Sequence, residues 1–320
     1  MWLTWRVATE RALYGEEGFY LRERPSGHFR TSVSASAAFA GAVLALLAEV
    51  DAELGKPDVL DLVDIGAGEG VLVAQVLESA PPGLLDRLRI TAVDLSPRPP
   101  GLPGRVRWSG EVPNGIVGLV IANEWLDNVP LDVAEQTAEG PRLILVDVRT
   151  GEERLGGPLR PADRAWLKRW WPLTRVGSRA EIGLPRDEAW ASVLVRLRRG
   201  RAIAIDYAHP VDNRPLCGTL TGYRDGAVVT PVPDGTCDIT AHVALDACAA
   251  AGIRAGAIST TLSTQRAALR ELGVTGARPP LDLARADPRG YLRALARASE
   301  EGELIDPSGL GGFGWLSQKR

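Results

Sequence analysis

Three glycines at alternate positions, Gly66, Gly68 and Gly70, follow an apolar run from Val59 to Ile65 that carries an acid at Asp64. A hydrophobic helical pattern, Val71 to Leu77, comes directly after them. Strand, tight turn and helix in that order present backbone N–H groups and a helix N-terminus to a nucleotide-like ligand. Asp94 closes the next apolar run, where a carboxylate can accept both hydrogen bonds of a ribose diol. Glu111 stands just after the strand beyond it, a position that by itself reads as a solvated loop charge. Asn123, Glu124 and Asp127 follow a fourth apolar run, Val117 to Ala122. On a helical turn Glu124 and Asp127 would share one face, and paired carboxylates can hold a guanidinium by bidentate hydrogen bonds. The competing use of Asp127 is local, satisfying backbone at a tight turn before Pro130. Tyr207 and His242 are each readable as a pocket wall or as a structural residue, His242 falling early in an expected helix.

Composition bounds the chemistry. With 320 residues, 45% of them hydrophobic, the chain can bury a real core as one large domain or a domain with an attached subdomain. A formal charge of −3 argues against a broad nucleic-acid-binding surface. Cys217, Cys237 and Cys248 show no C-x-x-C spacing and there are three histidines, so neither a metal site nor a disulfide framework is expected. Arg6, Glu10 and Arg11 interrupt the start of the chain, and no apolar run reaches the length of a membrane span. A soluble cytoplasmic protein is expected. The nine tryptophans, the Trp170-Trp171 pair included, are expected in packing.

These residues need a sheet to position them. Helical periodicity over 34–54 is followed by strand Val59–Ile65, helix 69–79, strand Arg89–Leu95, a proline-rich loop, a short strand Arg105–Trp108 and strand Val117–Ala122. Such alternation predicts a parallel sheet with right-handed crossovers. A hairpin of Leu131–Glu135 with Arg142–Val148 comes next, then helices at 161–171 and 185–199 and strand Arg201–Tyr207. Asp238 is read as the N-cap of a helix over 239–251, ahead of strand 253–259, helices 264–272 and 287–300, and strand Phe313–Leu316. The resulting division is an N-terminal arm and helix over 1–57, a ligand-binding core over 58–130, an inserted hairpin and helical subdomain over 131–199, and completion of the sheet over 200–320. In the arm, Gly18-Phe19-Tyr20 and Gly27-His28-Phe29 serve either as a lid over a pocket or as rings pinning the arm to the core.

The glycine spacing selects among nucleotide ligands. The dinucleotide fingerprint is G-x-G-x-x-G, whereas here the third glycine comes one residue early and Val71 takes its place. This disfavours an NAD(P)-dependent oxidoreductase. The run Asp64 to Gly70 resembles motif I of the class I S-adenosylmethionine-dependent methyltransferases. Further motifs resemble, in order, the family of the mitochondrial complex I assembly factor and its MidA homologues. They are Gly18-Phe19-Tyr20, Gly27–Ser32, Ala122–Pro130, Asp206-Tyr207, Gly218-Thr219-Leu220, Asp238–Val243 and Gly309–Phe313, spanning roughly residues 14–316.

The resemblance implies an α/β Rossmann-like mixed sheet with helices on both faces, an N-terminal arm and an inserted α/β subdomain. It implies S-adenosylmethionine held by Asp64, Gly66, Gly68, Gly70, Asp94, Glu111 and Asn123, with Glu124, Asp127 and Asn123 in catalysis. Tyr20, Tyr207 and His242 would line the acceptor pocket. The eukaryotic relative implies a protein arginine acceptor, with a complex I subunit as partner by analogy alone. His28 replaces the family's acid, and Thr31-Ser32-Val33-Ser34 lacks its proline and glutamate. These departures favour, as the alternative, a catalytically weak cofactor-binding assembly protein. Neither the methyl acceptor nor the oligomeric state is legible in the sequence.

Overall fold

The computed structural model describes residues 1–22 and 32–320. The arm motif at Gly27–Thr31, with His28, lies outside the described residues. Two compact units share the chain. The first comprises the described part of Met1–Phe29 with Glu124–Val195 and Asp206–Thr260; the second comprises the described part of Arg30–Asn123 with Arg196–Ile205 and Thr261–Arg320.

The second unit is built on seven strands: β1 (Leu60–Ile65), β2 (Leu88–Val93), β3 (Arg107–Ser109), β4 (Ile116–Asn123), β5 (Leu197–Asp206), β6 (Ser259–Thr264) and β7 (Gly314–Lys319). Their order across the sheet is β6-β7-β5-β4-β1-β2-β3. Strands β3, β2, β1, β4 and β5 run parallel. Gly200 and Arg320 exchange both backbone hydrogen bonds, at 2.9 and 3.0 Å, as an antiparallel pair does, so the sheet is mixed. The chain leaves β1 for β2 on one side and returns to β4 on the other, which makes the end of β1 a topological switch point. Every residue of β1 is buried, as expected of a parallel strand covered on both faces. The long helix begins at Ala37 and not at 34, because the Ser36 side chain accepts the Ala38 N–H at 2.9 Å and sets the cap there.

Sheet closure rests on an unusually close row. Asp61, Gly118 and Gly200 are register partners across β1, β4 and β5. Gly118 has φ +150 and Gly200 φ +129; a Cβ on the first would lie 2.1 Å from the Asp61 carbonyl oxygen, and on the second 1.9 Å from the Gly118 carbonyl oxygen. The Asp61 carboxylate accepts the Val117 N–H at 2.8 Å and two Arg89 N–H groups at 2.5 and 3.0 Å, fastening the same row. This pairing also corrects the helix expected over 185–199. That helix ends at Arg196, and Arg198-Arg199-Gly200 belong to β5, where β4 and Arg320 offer ladder partners.

The first unit is antiparallel. Asp132–Thr137 pairs with Gly140–Asp147 as the expected hairpin, and Trp2–Thr4, Glu153–Pro158 and Arg179–Ile182 complete a five-stranded sheet. The start of the chain is therefore a strand and a helix, Trp5–Tyr14, whose Trp5, Ala8, Ala12 and Leu13 pack with Val133, Ile144 and Ile239. Asp238 is no helix cap. Asp238–Thr240 is the edge of a three-stranded sheet, paired with Thr221–Tyr223, and the following helix is Leu245–Arg254. Ile253 is still helical, so the strand expected over 253–259 begins instead at Ser259. No helix among the described residues is long and apolar enough to cross a membrane.

Gly118→Ala is expected to cost about 3 kcal/mol or more, because the new methyl meets backbone that cannot swing aside and φ is wrong for alanine. Gly83→Ala, facing open space in the short helix Pro82–Leu85, is expected to be neutral or slightly stabilising. Urea unfolding of the two variants beside the parent checks the contrast.

Candidate functional site

The glycine turn sits at the end of β1. Gly66 N–H and Ala67 N–H both donate to the Val93 carbonyl, at 2.9 and 3.2 Å, so the turn is moored to the end of β2. Gly66, Gly68 and Gly70 have φ of 71°, 54° and 71°, which explains glycine at every second position. Gly70 opens the helix Val71–Ser79, and a Cβ there would lie 2.7 Å from the Leu102 side chain. A Cβ on Gly68 would meet open space. That residue borders room for a ligand.

The predicted cofactor residues of the second unit come together at this edge. Ile65 pairs with Val93 on one side and Ala122 on the other, so Gly66, Asp94 and Asn123 emerge level with one another. The Asp94 carboxylate accepts the Gly68 N–H at 2.8 Å and the Ser96 N–H at 2.8 Å, which holds it against the turn. Asn123 is buried at the end of β4. Glu111 is exposed two residues past β3, its backbone pinned on both sides by Ser109 Oγ at 2.8 and 3.1 Å. Asp64 is buried, and its carboxyl is pushed up to about 8 by burial first and by Asp94 second.

In the first unit a separate set of acids is gathered. Glu124 has φ of 51°, a conformation that costs a non-glycine residue free energy and recurs at functional sites. The chain then makes a 3₁₀ turn, Leu126–Asn128. Because Glu124 lies outside that turn, the two acids do not share a helix face as expected. They converge on a third acid instead. Asp206 accepts the Leu126 and Asp127 N–H groups on Oδ2 at 3.0 and 3.1 Å. Burial first, then Asp127 and Glu124, raise it well above the usual carboxylate range, against the pull of Arg186. Asp127 is buried and accepts the Thr240 hydroxyl at 2.6 Å; burial pushes it up too. Asp238, pushed up to about 7 by burial and then by Asp127, accepts the Tyr20 hydroxyl at 2.8 Å and the Asn128 amide at 3.1 Å. Tyr207 stacks on His242, centroids 5.6 Å apart, and burial with the charges of Glu124 and Asp127 raises its phenol.

Arg186 was absent from the sequence-derived site. It is 3% exposed, and its guanidinium donates to the carbonyls of Ala241 at 2.8 Å, His242 at 2.9 Å, Val129 at 3.3 Å and Asp127. Among the described residues, four carbonyls and no carboxylate receive it. Glu181, equally buried, accepts the Thr219 and Leu220 N–H groups at 2.6 and 3.0 Å. The signal for Arg186 was its place on the apolar stripe of its helix, in phase with Trp190, Val193 and Leu194.

Two outcomes follow. Arg186→Met is expected to destabilise the protein by about 3–5 kcal/mol, since it strands four carbonyls, those of Ala241 and Asp127 fully buried, and removes a buried cation from among buried acids. Chemical unfolding reads this directly. For Asp64 the folded-state value lies above that of the unfolded chain, so its contribution is complete below about pH 4 and is lost as pH rises through about 8. Asp64→Asn mimics the protonated form and is expected to be the more stable protein at pH 9, by about 1 kcal/mol or more, with the difference vanishing at pH 4.

Comparison with known proteins bears on this site. Residues 44–262 match a family described as "Putative S-adenosyl-L-methionine-dependent methyltransferase". A Burkholderia thailandensis protein solved with S-adenosyl-homocysteine bound is similar in structure over the whole chain, at 27% identity, a TM-score of 0.82 and 88% coverage of that protein. A native structure from the same organism is similar at 28% identity and a TM-score of 0.80, with 100% of this chain and 87% of that one covered. No curated protein matches the chain. The residues present fit S-adenosylmethionine: Gly68 leaves open space beside an Asp94 carboxylate fixed for a diol, and the buried Asp64 acid is one that a cationic ligand would relieve. The three-glycine turn at the switch point of a mixed Rossmann-like sheet, and a family match over residues 44–262, show that the chain belongs to this family of S-adenosylmethionine-dependent methyltransferases.

Proposed function

We propose that the protein transfers a methyl group to a guanidinium nitrogen of an arginine in a partner protein. The observation that carries this reading is a surplus of buried acids in the first unit. Asp127, Asp206, Asp238 and Glu181 are all buried and all held above the usual carboxylate range, while Arg186, the cation among them, spends its bonds on carbonyls. Burial makes isolated negative charge costly, so each of these acids gains from a cation brought beside it. A guanidinium brought beside them would be held by charge-assisted, bidentate hydrogen bonds.

The cofactor, held by Asp64, the Gly66–Gly70 turn and Asp94 with Asn123 and Glu111 flanking, supplies an electrophilic methyl on a sulfonium. What falls to this chain is orientation and charge. Glu124, half-exposed and held in its costly backbone conformation, accepts two N–H groups of the acceptor and directs one nitrogen forward. The nitrogen that gains the methyl gives up a proton, which the Glu124 carboxylate accepts. Asp127 positions this loop through Thr240, and Tyr207 and His242 form the pocket wall.

We place the activity in the cytoplasm, with a protein acceptor and, by resemblance, a complex I subunit as the first candidate. Glu124→Gln is expected to lower transfer from labelled S-adenosylmethionine into lysate protein about 100-fold, with S-adenosylhomocysteine binding within about twofold of the parent. Full transfer by the variant would remove Glu124 from the chemistry. Mass spectrometry of arginine methylation in cells with and without the protein identifies the acceptor; unchanged arginine methylation alongside intact cofactor binding would instead leave an assembly protein that binds the cofactor.

A further inference from the structure

Three rings stack in the first unit. Tyr207 and His242 lie 5.6 Å apart between centroids at 25°, and His242 and His209 lie 6.3 Å apart at 25°. Trp171 closes the far end edge-on, 4.6 Å from His209. The near end reaches the acids, because Tyr207 feels the charges of Glu124, Asp127 and Asp206. His242 is exposed, whereas His209 is 6% exposed.

Arg214 fixes the state of the buried ring. Its Nη1 lies 2.7 Å from His209 Nδ1. A guanidinium carries only donors, so Nδ1 has to be the acceptor and the ring proton has to sit on Nε2. That Nε2 is buried with no hydrogen-bond partner among the described residues, so hydrogen bonding at the other nitrogen does not select the tautomer. Arg214 is itself anchored, to Asp246 Oδ1 at 2.5 Å, to the Trp170 carbonyl at 3.0 Å and to the His209 carbonyl.

We propose that Arg214 is a positioning residue of the acceptor pocket: it locks His209 in the neutral tautomer with the proton on Nε2, so that the His209–His242–Tyr207 stack presents an uncharged wall to a cationic methyl acceptor. The proposal rests on the arginine reading above. An imidazolium at His209 would set an N–H against the Arg214 N–H and place positive charge in the wall. The charged and titratable groups facing His209 are Arg214, His242 and Arg186, with Asp246 behind Arg214. Burial first, then Arg214 and His242, push His209 down to about 3, and partial desolvation of its ring, then Arg186, lowers His242 although the residue as a whole is exposed. A guanidinium beside Tyr207 then meets carboxylates and a neutral π face, which attracts it, in place of a like charge.

The chain contains three histidines, so histidine-selective ¹⁵N NMR on the full-length protein resolves them. One ring is expected to keep the Nε2–H pattern unchanged from pH 5 to 8 and to disappear in His209→Phe. Titration of that ring near 6.5, or an Nδ1–H pattern, overturns the proposal. Binding of N-acetylarginine amide, measured with S-adenosylhomocysteine saturating, supplies the functional arm. Between pH 7 and 5 its affinity is expected to fall about tenfold further in Arg214→Met than in the parent, and the extra loss is expected to be absent from Arg214→Met/His209→Phe. Equal pH dependence in Arg214→Met and the parent overturns the positioning role. No binding to the parent at any pH overturns the arginine reading, and with it the cationic acceptor, whatever tautomer His209 holds.

Discussion

A single buried guanidinium holds the acid-bearing loops of the first unit in place. Arg186 reaches the carbonyls of Asp127 and Val129 on one segment and of Ala241 and His242 on another, segments more than a hundred residues apart in the chain. Because its hydrogen bonds go to carbonyls, it fixes the geometry of the acids without neutralising them by contact. A buried arginine paired to one carboxylate would have satisfied that acid and closed the site to a second cation. Here the backbone is clamped and the carboxyl groups keep their capacity. Thr240 donates to Asp127 Oδ2, and Asn128 and Tyr20 both donate to Asp238 Oδ1, so the cluster is ordered by neutral partners.

The second unit solves a different problem, that of bringing strands close enough to level the ends of β1, β2 and β4. Its means is the absence of side chains at Gly118 and Gly200, with Asp61 and Arg89 tying the row. The turn at Gly66–Gly70 uses glycine for a local reason, positive φ, whereas the sheet uses it for approach. Both uses serve one end: backbone donors and the Asp94 carboxylate share an edge where a nucleoside can lie.

The cofactor end was legible in the sequence because its signals are local. Glycine at every second position after a buried strand reports the dihedrals of the turn itself, and Asp94 follows its strand by one residue. The acid end was only partly legible, since its order comes from distant partners. Asp238-Ile239-Thr240 reads as a helix start, a capping acid before an alanine-rich run, until Thr221–Tyr223 supplies a ladder that the local pattern does not contain. Trp5–Tyr14 hid for another reason: two of its core contacts are alanines, Ala8 and Ala12, too small to draw an apolar stripe among the charges at Arg6, Glu10 and Arg11. Arg186 shows the converse, a charge sitting where a stripe calls for an apolar residue. His209 and Arg214 carry no sequence signal at all, because their relation depends on which nitrogen faces which.

The strand order has a consequence for how the protein emerges during synthesis. β7 lies between β5 and β6, yet it is the last of the seven in the chain. At about 5–20 residues per second on the ribosome, β5 and β6 are complete several seconds before the strand that joins them exists. Until then the sheet keeps a long unpaired edge on β5, the kind of edge to which other nascent chains add strands. Gly200, exposed on that edge until Arg320 arrives to pair with it, ties completion of the sheet to the arrival of its final strand.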